Sequence, residues 1–284
     1  MRAVSQAATG AETRRVLGRT GREVFRLGVS ASYGLGGADL ERAVEEHGVD
    51  YLYWGSMRTR AFGLGLRALC ARGLRDRLFV VIQSYSRLGS FVAPSLRRAL
   101  RWLGIERADL LLLGYWNKQV PPRIVDAAIA CRERGLTAHV GVSTHERPEV
   151  PGFAAAGSPF DVIHFRYNAA NRGAERDLFP RLPLPPRAGL VAFTTTRWGQ
   201  LLRRPRGAPE DLPIPSAGDC YRFALTNPYV DAVVTGPADA AQVAEAAAAI
   251  ARGPMDPDEL EWMRQVGDLV YAQGGLKCAL QERF

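Results

Sequence analysis

Eight short apolar runs, each closing on small or polar residues, recur roughly 20 to 40 residues apart along this chain of 284 residues. They are RLGVSAS (26–32), DYLYWGS (50–56), LFVVIQS (78–84), DLLLLGYWN (109–117), HVGVSTH (139–145), DVIHFRYN (161–168), LVAFTTT (190–196) and DAVVTG (231–236). Their spacing is that of a βα unit, and their nearly continuous apolarity is that of strands covered on both faces. The stretches between them read as amphipathic helices: Asp39 to His47, Ala61 to Arg72, Ser95 to Leu103 and Arg123 to Arg134. Each of these four is followed by glycine, at Gly48, Gly73, Gly104 and Gly135, the residue that takes a left-handed helix end without steric cost. Later helices are expected over Asp219–Thr226 and Ala240–Arg252, and Asp256-Pro257-Asp258-Glu259 opens a last one as a capping box. Ahead of the first run, RRVL and REVFRL flank Gly18-Arg19-Thr20-Gly21 and read as a β-hairpin.

Eight alternations predict an α/β fold, a (β/α)8 TIM barrel with an N-terminal β-hairpin and a C-terminal helix. The rival, a doubly wound sheet, needs a glycine-rich phosphate turn after its first strand. Tyr33-Gly34-Leu35-Gly36-Gly37 is only a fragment of that motif. The expectation is one domain over 1–284, with 1–13 a flexible leader. The longest irregular segment, Arg203 to Pro215, belongs at the mouth where a barrel keeps its active site.

Composition excludes several function classes. No stretch of about 18 apolar residues reads as a membrane span, and the N-terminus lacks the apolar core of a secretion signal. Cys70, Cys131, Cys220 and Cys278 are far apart, which suits reduced thiols and a cytoplasmic location. His145, Glu146 and His164 have no metal-ligand spacing, so no metal is expected. The net charge of +8 invites a nucleic-acid reading. The arginines, however, are interleaved with leucine, alanine and acids, as in LRRALRW and CRERG, so no nucleic-acid partner is expected. Oligomeric state stays open.

Several segments together resemble the aldo-keto reductases: SLRRALRWLGIERADLLLL, GVST followed by VIHFRYN, GLVAFTTTRWGQLL, and NPYVDAVVTGPADAAQVAEAAAA. The resemblance covers about Arg15 to Asp268. It implies the barrel, a nicotinamide cofactor, NAD(P)H, across the mouth, and hydride transfer to a carbonyl assisted by an Asp, Tyr, Lys and His tetrad. Those four positions fall on Tyr53, Arg58, Gln83 and Gly114. All four groups differ, and only Lys118 and Lys277 are lysines. Of the residues that hold cofactor in the family, Ser143-Thr144 stands for a Ser-Asn pair, His164 for a Gln, and Phe193 for the aromatic that stacks on nicotinamide. The cationic positions for the adenosine phosphate fall on Gly236 and Gln242.

The residues set the remaining expectations. Tyr53, Arg58 and Gln83 are the catalytic candidates. A tyrosine is a poor acid near neutrality unless a cation depresses its pKa, which Arg58 is placed to do; the alternative is a barrel-filling tyrosine with a satisfied hydroxyl. Arg58 and Arg166 suit an anionic ligand held bidentately. Trp54, Tyr115, Trp116 and Trp198 suit an aromatic pocket, with a place in the core as the alternative for each; Gln83 and Tyr85 suit its polar lining. Asn168 reads as a loop residue or helix cap. The activity expected is an aldo-keto-reductase-like oxidoreductase with a rebuilt site, acting on a specialised, anionic small molecule. The alternatives are a non-redox enzyme (eliminase, isomerase or cyclase) on the same scaffold, and a non-catalytic ligand-binding member.

Overall fold

The computed structural model describes residues 13–55 and 59–274. Two strands, β1 (Arg14–Val16) and β2 (Glu23–Phe25), pair antiparallel with Arg15 opposite Val24. Then follow β3 (Leu27–Ser30), β4 (Tyr51–Trp54), β5 (Phe79–Ser84), β6 (Ala108–Leu113), β7 (Thr137–Thr144), β8 (Val162–Arg166), β9 (Gly189–Phe193) and β10 (Ala232–Thr235). These pair in parallel and close into a barrel through β10 and β3. Each of the eight expected runs contributes one barrel strand.

The helices are α1 (Gly37–His47), α2 (Arg60–Leu69), α3 (Gly89–Leu103), α4 (Pro122–Glu133), α5 (Val150–Ala154), α6 (Gly173–Asp177), α7 (Ala217–Thr226), α8 (Ala240–Ala251) and α9 (Pro257–Gln273). Gly48 and Gly104 end α1 and α3 at φ 68° and 71°. The helix expected to run to Arg72 stops at Leu69, and a widened turn over Cys70–Leu74 carries Gly73 at φ 81°. The expectation for α3 starts too late: it begins at Gly89, with Pro94 inside it. Asp256 and Glu259 form the expected capping box at the start of α9.

Strand alternation sorts side chains into two cores. Tyr51, Tyr53, Phe79, Val81, Leu110, Leu112, Val162, Val191, Ala232 and Val234 fill the bore, joined by Leu17 and Val24 of the hairpin. The hairpin is therefore a plug in the N-terminal end. Gly18 lies so close that a Cβ there would fall 2.1 Å from the Gly189 nitrogen. Arg19 bonds the carbonyls of Ala154, Ala155, Ala156 and Phe160 and fastens the plug to the loop after α5. The opposite strand face, with Leu52, Val80, Ile82, Leu111, Val140 and Phe165, packs on the helices, each such side chain contributing about 1.5–3 kcal/mol.

An aspartate stands at the start of every second strand. Asp50 accepts the backbone N–H of Phe25 on β2, and Asp109, Asp161 and Asp231 accept those of Val80, Val140 and Leu190 on the preceding barrel strands, at 2.9, 2.8, 3.1 and 2.8 Å. Arg14, Arg75, Arg132 and Arg187 respectively neutralise them. The four-fold device satisfies donors that the barrel's stagger leaves unpaired. It also places these acids at the end away from the mouth, the end where a barrel's sequence serves stability.

Candidate active site

At the C-terminal mouth lies a cleft of about 760 Å³, within the range of small-molecule sites. Tyr53, Ser143, His164 and Phe193 line its deep part, with Tyr115 at one side. Thr194, Thr195, Thr196, Trp198 and Leu202 form one wall, Ser30, Ser32 and Tyr33 another, and Gly236, Gln242 and Glu245 its far end.

The bore floor is a pair of hydrogen bonds between aromatic and polar side chains. Tyr53 Oη donates to Gln83 Oε1. Tyr51 Oη meets His164 Nε2 at 2.7 Å, and the Tyr53 and His164 rings lie 5.6 Å apart. Burial drives the His164 pKa down to about 3, so the ring is neutral at physiological pH. At the rim, His145 stacks on Tyr115 at 4.9 Å and meets Phe193 edge-on at 5.1 Å. Its pKa falls to about 4, first through burial and then through the charge of Arg166.

The wall after β9 is strained. Thr194, Arg197 and Trp198 have φ of 58°, 51° and 53°, left-handed values that cost residues with a Cβ of order 1–3 kcal/mol each. Asn168, fully buried, pins this wall by donating to the Thr194 carbonyl at 2.9 Å, while its Oδ1 accepts from Ala170 and Asn171. It is a loop clamp, as its loop reading suggested.

Of the expected residues, the cleft brings together Tyr53, Tyr115, Ser143, His164, Phe193, Trp198, Gly236 and Gln242. Gln83 reaches it through Tyr53 and borders, with Tyr85 and Gly55, an adjoining groove. Arg166 is buried at the end of β8 and does not line the cleft. Three residues point elsewhere. Trp54 stacks on Trp102 at 5.1 Å in the layer between barrel and helices. Trp116 packs against that same layer with Arg87 4.1 Å over its ring. Thr144 is fully buried and caps Glu146 N at 2.9 Å. For Trp54 and Thr144 the physical reason is one of parity. Tyr53 and Trp54 are neighbours in one strand, as are Ser143 and Thr144, and neighbours face opposite sides. Arg58 lies outside the described residues. Tyr51, Tyr33, Tyr221 and Glu245 were not anticipated; Tyr51 shares strand parity with Tyr53, a signal that points it into the bore.

At two of the expected positions a side chain would meet close neighbours. A Cβ at Gly114 would fall 1.6 Å from Gln83 Nε2, so the Gln83 amide occupies the space a side chain at 114 would need. A Cβ at Gly236 would fall 2.3 Å from the Tyr33 ring, which closes the cleft's far end.

The cleft suits the nicotinamide half of a dinucleotide better than a 2′-phosphate. Phe193 offers a ring and Ser143 and His164 polar groups beside it. Among the described lining residues none is Lys or Arg, and Glu245 is the charged one. At the start of α8, Asp239 accepts from Gln242 N and Gln242 Oε1 from Ala238 N, both at 2.9 Å, so one of the helix's first-turn donors and the N–H just ahead of its cap are engaged. Among the described residues no group of His, Cys, Asp and Glu is gathered to hold a metal ion, and no helix is long and apolar enough to cross a membrane.

Plug, bore and mouth cleft together define a barrel of the aldo-keto reductase type. Solved structures agree. An aldo-keto reductase from Bacillus halodurans superposes with TM-scores of 0.73 in its holo form and 0.71 in its apo form, at 18% identity, over 89% of this chain and 96% or 95% of its own. An aldo-keto reductase from Klebsiella pneumoniae, in complex with NADPH, superposes with a TM-score of 0.68 at 21% identity, over 90% of this chain and 95% of its own. No protein-family model matches the sequence, and no curated protein matches it. The chain has the aldo-keto reductase fold.

Proposed function

We propose that this chain binds a nicotinamide dinucleotide across the barrel mouth and is an oxidoreductase with a rebuilt active site. One observation carries the reading: a single cleft runs from the Tyr53 ring in the bore, past Phe193, to Gly236 and Gln242 at the start of α8. That path matches the extended shape of a dinucleotide, which supplies hydride when bound. The NADPH complex of the Klebsiella structure supports a cofactor in this class of barrel.

The chain's own groups do the rest. Phe193, braced edge-on by His145, presents an aromatic face. Ser143 and His164 are partners in register on β7 and β8 and supply polar contacts side by side. Tyr53 Oη is the proton-bearing group at the floor, and Gln83 holds it. In this arrangement the Tyr53 proton is directed at Gln83 and not at the cleft. Fast reduction of generic aldehydes is therefore not expected, since a positioned acid is worth about 10²- to 10⁴-fold. The same observation favours a second reading, a non-redox enzyme or a ligand-binding protein on this scaffold. The substrate in the first reading is a specialised small molecule with an anionic group. What supports the anion is the buried guanidinium of Arg166 at the end of β8, behind the rim.

The test is a fluorescence titration with NADH and NADPH. Saturable binding below the millimolar range, weakened at least tenfold by Phe193→Ala, is expected. Millimolar or weaker binding of both by the wild type overturns the dinucleotide reading and moves the weight to the second.

A further inference from the structure

Tyr51 has no place in the site expected from sequence, yet it sits under the cleft floor. Its side chain is fully buried and its ring stacks on Phe79 at 5.2 Å, nearly parallel. Among the described residues its hydroxyl has one hydrogen-bonding partner, His164 Nε2 at 2.7 Å. Burial drives the Tyr51 pKa well above 10, so the phenol keeps its proton.

That proton has to go somewhere. A buried hydroxyl that donates to nothing loses its full hydration without compensation. If His164 Nε2 carried a proton and donated to Tyr51, the phenol proton would be left with no acceptor. The arrangement that satisfies both groups has Tyr51 Oη donating to a bare Nε2. A neutral imidazole with a bare Nε2 carries its proton on Nδ1. The ring is neutral because burial holds its pKa at about 3. Nδ1 bonds to none of the described protein groups, and His164 lines the cleft next to Ser143, its register partner.

We propose that Tyr51 is a positioning residue that locks the tautomer of His164: its hydroxyl holds Nε2 bare, so the cleft floor presents a fixed Nδ1–H donor that reads a carbonyl oxygen of the ligand. An ordinary histidine offers a donor in one tautomer and an acceptor in the other. The lock removes that ambiguity, and burial removes the change of charge near neutral pH. Beside it, the Ser143 hydroxyl has no hydrogen-bonding partner among the described residues and can accept from an amide N–H. The family resemblance already sets an amide of the cofactor beside these two positions; the lock adds that its oxygen falls on His164 and its nitrogen on Ser143. The identification of that amide with nicotinamide rests on the function proposed above; the tautomer lock does not.

The experiment is long-range ¹H–¹⁵N correlation on the unliganded full chain labelled at histidine. The protein has four histidines, and His164→Gln assigns the signal. The expected wild-type pattern is a protonated Nδ1 and a bare Nε2, unchanged between pH 5 and 8. The opposite tautomer, an even mixture, or protonation in that range overturns the lock, whether or not any dinucleotide binds. Tyr51→Phe should convert the signal to a tautomer mixture and weaken NADH at least tenfold. If Tyr51→Phe keeps the wild-type pattern, or, where the wild type binds NADH, binds it equally well, Tyr51 is a packing residue and the proposal fails. If Tyr51→Phe does not fold, the wild-type spectrum still decides. If wild type shows the pattern but does not bind NADH, the dinucleotide reading fails and the lock stands.

Discussion

Replacing Gly114 by alanine should damage the floor of the site through one side chain, Gln83. The added Cβ would fall 1.6 Å from Gln83 Nε2 and 2.7 Å from its Cδ, distances at which something must move. The backbone is poorly able to yield. Arg87 donates to the carbonyls of Gly114 and Tyr115 at 2.9 and 2.8 Å, and Gly114 N is bonded to Ser84 O at 3.1 Å. Gln83 must therefore swing, giving up the bond from Tyr53. Disturbing a buried amide and hydroxyl costs about 1–3 kcal/mol, and an off-rotamer glutamine adds about 0.5–1.5 kcal/mol. The smaller unfolded-state entropy of alanine returns about 0.4–1 kcal/mol, leaving a net loss of roughly 0.5–4 kcal/mol. The assay is a double-mutant cycle by urea denaturation with Gly114→Ala, Gln83→Ala and the pair. Gln83→Ala clears the space, so the double variant should be no less stable than Gln83→Ala alone, within about 0.5 kcal/mol. Additive losses, or a harmless Gly114→Ala, would show that the Gln83 amide does not occupy the position 114 space.

The other predictions concern charge and cofactor. His145 and His164 have lowered folded-state pKa values, about 4 and about 3, against about 6.5 when unfolded. Below pH 6.5 the unfolded chain binds protons that the folded chain refuses, so stability is full above that pH and falls as pH drops towards 4. The slope contribution approaches about 1.4 kcal/mol per pH unit for each ring; urea midpoints at pH 7.5, 5.5 and 4.5 measure it, and His164→Gln should remove its share. Asp231 is 3% exposed, accepts from Leu190 N and pairs with Arg187; Asp231→Ala should cost about 3–5 kcal/mol by stranding a buried arginine, and a loss under about 1 kcal/mol in the same assay would contradict that. NADPH should bind no more than about tenfold more tightly than NADH, for want of a lining cation among the described residues at Gly236 to Glu245. A 100-fold preference, about 2.7 kcal/mol, would mean that a cation from elsewhere grips the 2′-phosphate.

Much of this protein is written locally in its chain. The eight strands are runs of apolar residues that only a doubly covered strand accepts, and Gly48 and Gly104 stop helices because they take left-handed angles. The capping box at Asp256 and the hairpin turn at Gly18–Gly21 are likewise short-range chemistry, legible because every participant lies within a few residues. Even the rule that would have separated Tyr53 from Trp54 is local, since strand neighbours face opposite ways. Which of the two faces the bore was not local: it follows from how the barrel closes and where α2 and α3 lie against it. The same holds for the floor of the site. Tyr51 and His164 are 113 residues apart in sequence and share a hydrogen bond, and Gln83 occupies the space above Gly114 because β5 and β6 are adjacent in the closed sheet. The resemblance alone aligns the family's four catalytic groups with Tyr53, Arg58, Gln83 and Gly114. What stands in their place depends on side chains from different strands meeting across the bore, and only the closed barrel brings those strands face to face.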